Sequence, residues 1–252
     1  MNTTRVSVTA PYKSTAVIVG IMFILGTVCG ILSGVVTVPI SSAPTFPLNV
    51  AANATQWIVG ALLVMGMGLS LAMMPVMLYP VFRQYPVLAL GAVLFRGAIE
   101  AISYAIMVIC MLLLLTVSEI PATAGVASAA NLQALGSIIA ACKNWTEMWG
   151  GIVFTIGGLM IYALFYKTKL VPRWLSGWGL AGGVLYIAAN LLAMFGPLHT
   201  PPSVGEGVGL LLMPTALQEM VFALWLIVKG FSPSAAASLA AKTATYELAS
   251  AT

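Results

Sequence analysis

Apolar residues run along this chain in six long blocks, covering roughly residues 16–38, 55–82, 87–117, 138–166, 175–195 and 208–228. Short breaks rich in proline, glycine and charge separate them. A helix rises about 1.5 Å per residue, so about 20 apolar residues cross the hydrocarbon core of a bilayer. Each block meets that length. The first is longer than the apolar region of a signal peptide, about 7–15 residues, and reads as a retained helix. The pattern predicts an all-α fold: an integral membrane bundle of six transmembrane helices over residues 16–231. A short N-terminal segment, 1–15, precedes it, and an Ala/Ser/Thr-rich low-complexity tail, 232–252, follows. Residues 39–54 read as an uncharged loop with three prolines. The stretch 119–137 reads as a loop on the far side with a short surface helix. Pro75 is expected to kink the second helix.

Small residues add packing information. Gly26, Gly30 and Gly34 recur every four positions, a spacing that makes a groove for close helix contact. Its expected partner is another helix of the same chain; a second copy, and hence a homo-oligomer, is the alternative. Gly179 and Gly183 make a similar face on the fifth block.

Composition sharpens the class. The chain is 61% hydrophobic and 6% charged, with a mean hydropathy of +1.05. Soluble domains carry about 25% charged residues, so this chain cannot solvate a globular surface. The formal net charge of +4 does not indicate nucleic acid, because the basic residues are scattered singly. Arg5, Lys13, Arg83, Lys167, Lys169, Arg173, Lys229 and Lys242 fall on one side of a six-span arrangement; only Lys143 falls near the other. The positive-inside rule then places both termini in the cytoplasm and makes the protein a multi-pass protein of the cell membrane, with lipid as its surroundings. Cys29, Cys110 and Cys142 show no metal-like spacing and read as small core residues. With His199 the only histidine, neither a haem nor a multi-histidine metal site is expected, and no cofactor is implied. The fourteen methionines show no repeated Met-x-x-Met spacing and read as core filling. Sequon-like triplets at Asn2, Asn53 and Asn144 carry no weight without a source.

Candidate chemistry lies where charge interrupts the apolar blocks. Arg96 and Glu100 are four residues apart in the third block, a spacing that lets them share a helix face. A central arginine costs roughly 2.5–3.5 kcal/mol in a bilayer, so it calls for a protein partner. Counting from the cytoplasmic ends, Arg96 and Glu219 both lie about 15 Å deep. These two are expected to pair, tying the third helix to the sixth. One guanidinium can serve two carboxylates, but the trio carries one excess negative charge. Burial then favours a neutral form of one carboxyl, and Glu100 is the candidate. Ser103, Tyr104, Thr215 and Gln218 stand near enough on their helices to complete hydrogen bonds. Lys143 and Glu147 make a second polar pair near the outer boundary, where water can reach them.

Three stretches carry a likeness to a known family: Phe95-Arg96 with Glu100, Leu170-Val171-Pro172-Arg173-Trp174-Leu175-Ser176, and Leu217-Gln218-Glu219-Met220 continuing to Phe231. The chain resembles the prokaryotic membrane proteins grouped as domain of unknown function 4386, over most of its length. The resemblance implies a single all-helical membrane domain and brings no activity or catalytic residue. The residues leave three functions open. The first is a small transporter or proton-responsive carrier, with Arg96, Glu100, Tyr104, Gln218 and Glu219 lining its site and a small solute or a proton as cargo. The second is a non-catalytic sensor or partner subunit, in which the charges fasten helices together. An intramembrane lipid-modifying enzyme ranks last, because the chain has no aspartate and no Ser-His pairing or metal set.

Overall fold

Six helices carry the six apolar blocks. The computed structural model describes residues 12–120, 126–196, 200–202 and 207–250, with the backbone alone at 126–127 and 243–250. Helix α1 is Lys13–Ser41, α2 Ala54–Leu78, α3 Pro86–Glu119, α4 Val126–Thr168, α5 Arg173–Met194 and α6 Met213–Val228. A 3-10 turn, Gly207–Leu212, leads into α6, and a seventh helix, α7 at Pro233–Ser250, follows it. Counting α6 with its lead-in turn, all six are long and apolar enough to cross a membrane. No strand occurs among the described residues.

Three boundaries differ from the reading of the sequence. Helix α1 runs through Pro39 instead of stopping before it. A proline in the last turn removes only one backbone bond, and the Ser42 hydroxyl donates to the Val38 carbonyl at 2.7 Å. The loop expected to reach Ser137 is already helix from Val126; residues 121–125 of that expected loop lie outside the described residues. Its alanines favour helix, and the extra turns have something to rest on. Gln133 Nε2 donates to the Phe46 carbonyl at 3.0 Å, and a Cβ on Gly136 would collide with Pro47. The tail is also structured where it leaves the bundle. The Ser232 N–H donates to the Leu170 carbonyl at 2.8 Å, and Ala236 and Leu239 are buried.

Helices in lipid gain little from apolar burial against each other, so close packing and interhelical hydrogen bonds carry the association. Between α1 and α2, Ser33 donates to the Gly60 carbonyl at 2.9 Å and Ser70 to the Met22 carbonyl at 3.0 Å. The glycine stripe of α1 meets α2 over only part of its length. A Cβ on Gly26 would lie 2.7 Å from Leu71, and one on Gly30 2.7 Å from the Met67 sulfur, but one on Gly34 would meet nothing within 4 Å. The contact is within one chain, and Gly34 is not part of it. On α5, Gly179 seats the Tyr162 ring and Gly183 seats Leu159. Replacing Gly26 by leucine should overpack the α1–α2 seam and cost about 1–3 kcal/mol. Unfolding of that variant in detergent at the wild-type temperature would show that the seam tolerates a side chain.

Two apolar clusters occupy the ends of the bundle. At the end where α1 begins and α6 finishes, Phe165 packs edge-on to Phe82 at 5.2 Å and to Phe222 at 5.1 Å, above Phe231. At the other end Trp57, Met111 and Leu114 pack together, and Trp57 Nε1 donates to the Met111 carbonyl at 2.7 Å. A layer of buried polar side chains lies between them.

Candidate functional site

The polar layer is organised by Arg96, which is 1% exposed. It stands in a π-helical stretch of α3, Val93–Ile99, where backbone bonds run i to i+5 and the turn is wider than in an α-helix. The Glu100 N–H closes this stretch on the Phe95 carbonyl. Such stretches recur at functional sites because they re-aim side chains on either side of the bulge.

Arg96 reaches three helices. Its Nη2 pairs with Glu219 Oε1 on α6 at 3.3 Å, and its Nη1 donates to the Phe154 carbonyl on α4 at 3.5 Å. The guanidinium lies 4.0 Å from the centre of the Phe154 ring and 5.4 Å from that of Phe23 on α1. A desolvated cation–π contact contributes about 2 kcal/mol, so the two rings supply part of the solvation that lipid withholds. Gly157 on α4 makes the approach geometrically open: a Cβ there would lie 2.6 Å from Arg96 Cβ and 2.7 Å from its backbone nitrogen. Glycine is needed at this position because two helix backbones nearly touch.

Glu100 is placed differently from Glu219. It is 1% exposed, yet it makes no salt bridge with Arg96, and neither carboxyl oxygen has a hydrogen bond of good geometry among the described residues. Sharing a helix face did not bring the two within salt-bridge distance; the guanidinium is engaged by α4 and α6 instead. Tyr104 stands one turn further along α3 from Glu100. Tyr104 itself lies over Gly68 of α2, whose missing side chain leaves room for the ring.

The other expected residues stand around this centre. Gln218 is fully buried, and its Nε2 donates to the Leu175 carbonyl at 3.2 Å while its Oε1 has no partner among the described residues. Thr215 packs against Gly182 with its hydroxyl unpaired. Ser103 bonds back to the Ile99 carbonyl at 3.1 Å and is spent on its own helix. Lys143 and Glu147 pair along α4 at 2.9 Å, with side chains 24% and 41% exposed, toward the Trp57 end of the bundle.

Four contributors were invisible to residue counting. The Tyr162 and Ser176 hydroxyls are buried and unpaired among the described residues. Phe154 and Gly157 form the wall on which Arg96 lies. Only the Gly157-Gly158 pair, set in an otherwise bulky run, hinted at a close approach. Buried polar atoms in folded proteins nearly always have partners. Here Arg96 Nε, both Glu100 oxygens, the Tyr162, Ser176 and Thr215 hydroxyls and Gln218 Oε1 have none among the described residues. Among the described residues no group of His, Cys, Asp or Glu is arranged to hold a metal.

Comparison with known proteins adds one finding. A family model described as "Domain of unknown function (DUF4386)" matches residues 18–230. No curated protein and no solved structure matches the chain.

Proposed function

Because the chain belongs to the DUF4386 family, a family defined without an activity, we propose its function from geometry: a small proton-responsive membrane carrier whose moving part is Arg96. The observation that supports this is the unpaired buried carboxyl of Glu100 beside the Arg96–Glu219 pair. A purely fastening trio would satisfy all three charges. This one leaves both oxygens of the Glu100 carboxyl without a hydrogen bond among the described residues.

The chemistry of such a switch is direct. With Glu100 neutral, Arg96 stays on Glu219 and ties α3 to α6. When Glu100 loses its proton, a second anion competes for the same guanidinium from within α3. Arg96 turning to Glu100 releases Glu219 and frees α6 to move, so proton loss at one helix is read as motion at another. Pro214, in the first turn of α6, is the natural place for that movement. The unmet hydroxyls of Tyr162, Ser176 and Thr215 offer a passing proton or small solute temporary partners.

Purified protein in vesicles should carry a proton or solute flux that follows pH, and Glu100→Gln should abolish the pH response. Flux with an unchanged pH response in Glu100→Gln would remove the switch from the reading. The same reading puts both termini in the cytoplasm, on the one-sided placement of lysine and arginine. A cysteine replacing Ser42, at the far end of α1, should then react with an impermeant thiol reagent added to intact cells. Reaction only after the cells are opened would reverse the orientation.

A further inference from the structure

Above the polar layer, away from the termini, lies a cavity of about 600 Å³, separate from the Arg96 centre. It is a cleft between the outer half of α1 and α4, floored by α2 and α3 and bordered by Thr200, Pro201 and Pro202, and its volume is that of a small-molecule site. Gly34 opens onto it, which explains why that glycine touches no neighbour. The two walls differ in chemistry. On α4 stand Lys143 and Glu147, paired at 2.9 Å and both partly exposed. On α1 stand Ser33, Thr37 and Ser41 at intervals of four. Their hydroxyl protons are already donated, to the Gly60, Ser33 and Val38 carbonyls. The oxygens that remain are acceptors, suited to an ammonium group. Met67, Met107 and Met111 give the floor an apolar, adaptable lining.

We propose that this cavity is the entry site of the carrier and binds a small zwitterion, one bearing an ammonium and an anionic group on a short apolar body. A single ion entering here would compete with the Lys143–Glu147 pair and strand one of its members. A zwitterion exchanges partners without stranding either: its anion takes Lys143, and its ammonium takes Glu147 and the hydroxyl oxygens of α1. The apolar body meets the methionines. The position fits a route inward. Glu147 lies nearly three turns outward of the level where Gly157 meets Arg96, and Tyr186 of α5 packs on Phe154, whose ring lies against the Arg96 guanidinium. Apolar packing closes the polar layer at both ends, Phe82–Phe165–Phe222 at one and Trp57–Met111–Leu114 at the other, so the onward path from the cavity opens only when the second cluster moves.

The inference rests on the carrier reading for the solute's onward path, but binding is tested without flux. Gly34→Cys, in a background of Cys29→Ala and Cys142→Ala, points a thiol into the cavity. Glycine, leucine and taurine serve as zwitterionic probes; methylammonium, isoamylammonium, acetate and isocaproate serve as single-charge controls. At least one zwitterion should slow thiol labelling by roughly tenfold when present at about ten times its dissociation constant, as occupancy by mass action requires. The controls should not, and Glu147→Gln should remove the protection. Protection by no zwitterion, or equal protection by the controls, overturns the proposal. Flux of a probe through vesicles without protection of Gly34→Cys would keep the carrier and refute this site. Protection without any flux would keep the site and refute the carrier.

Discussion

Replacing Arg96 by alanine should lower the stability of the protein in detergent by about 3–5 kcal/mol, the range for breaking a buried ion pair by removing one partner. Two losses combine in that figure. Glu219 is left as an uncompensated carboxylate, 13% exposed, having lost the guanidinium it pairs with. Phe154 and Phe23 lose the guanidinium that fills the space between them. Glu219→Gln should destabilise by less, because a neutral amide can still accept from Arg96. The double variant Arg96→Ala/Glu219→Gln should lose less than the sum, with a coupling of about 0.5–3 kcal/mol, since residues in contact are not additive. Strictly additive losses would mean that the pair contributes nothing as a pair. Arg96→Lys should recover little, because an ammonium cannot lie flat on Phe154 while reaching both Glu219 and the Phe154 carbonyl.

Gly157→Ala and Gly34→Ala should move stability in opposite directions although both sit inside helices. Helix propensity alone favours alanine over glycine by about 1 kcal/mol at each. At Gly34 nothing lies within 4 Å of the added carbon, so that gain should appear in full or nearly so. At Gly157 the carbon would lie 2.7 Å from the Arg96 backbone nitrogen, and backbone cannot step aside as a flexible side chain can. Overpacking of about 1–3 kcal/mol then outweighs the propensity gain. The shift should also carry Arg96 away from Glu219, so Gly157→Ala should weaken the coupling measured in the Arg96/Glu219 cycle. Equal stabilisation by both alanines would mean that α3 and α4 do not approach so closely at Arg96.

The six-helix class is legible in the chain itself because it depends on one-dimensional quantities. A run of apolar residues long enough to cross a bilayer is a property of sequence alone. Depth along a helix is also one-dimensional: counting inward from Pro86 and back from Lys229 puts Arg96 and Glu219 at one level, and they meet at 3.3 Å. The same arithmetic places Lys143 beside Glu147, one turn apart on α4.

Azimuth is what counting could not supply. Whether Arg96 engages Glu100 on its own helix or Glu219 on another is decided by how α4 and α6 stand against the π-helical stretch at Val93–Ile99. That stretch has no pattern of its own in the apolar run. Likewise Gly26, Gly30 and Gly34 are equivalent by spacing, but only Gly26 and Gly30 face α2, while Gly34 opens onto the cavity between α1 and α4. The sequence by itself determined how many helices there are, how long they are and which polar groups share a level. The tertiary structure decided which of those groups touch, which are left without partners and where the bundle stays open, because each of these depends on how helices distant in sequence are rotated and spaced against one another.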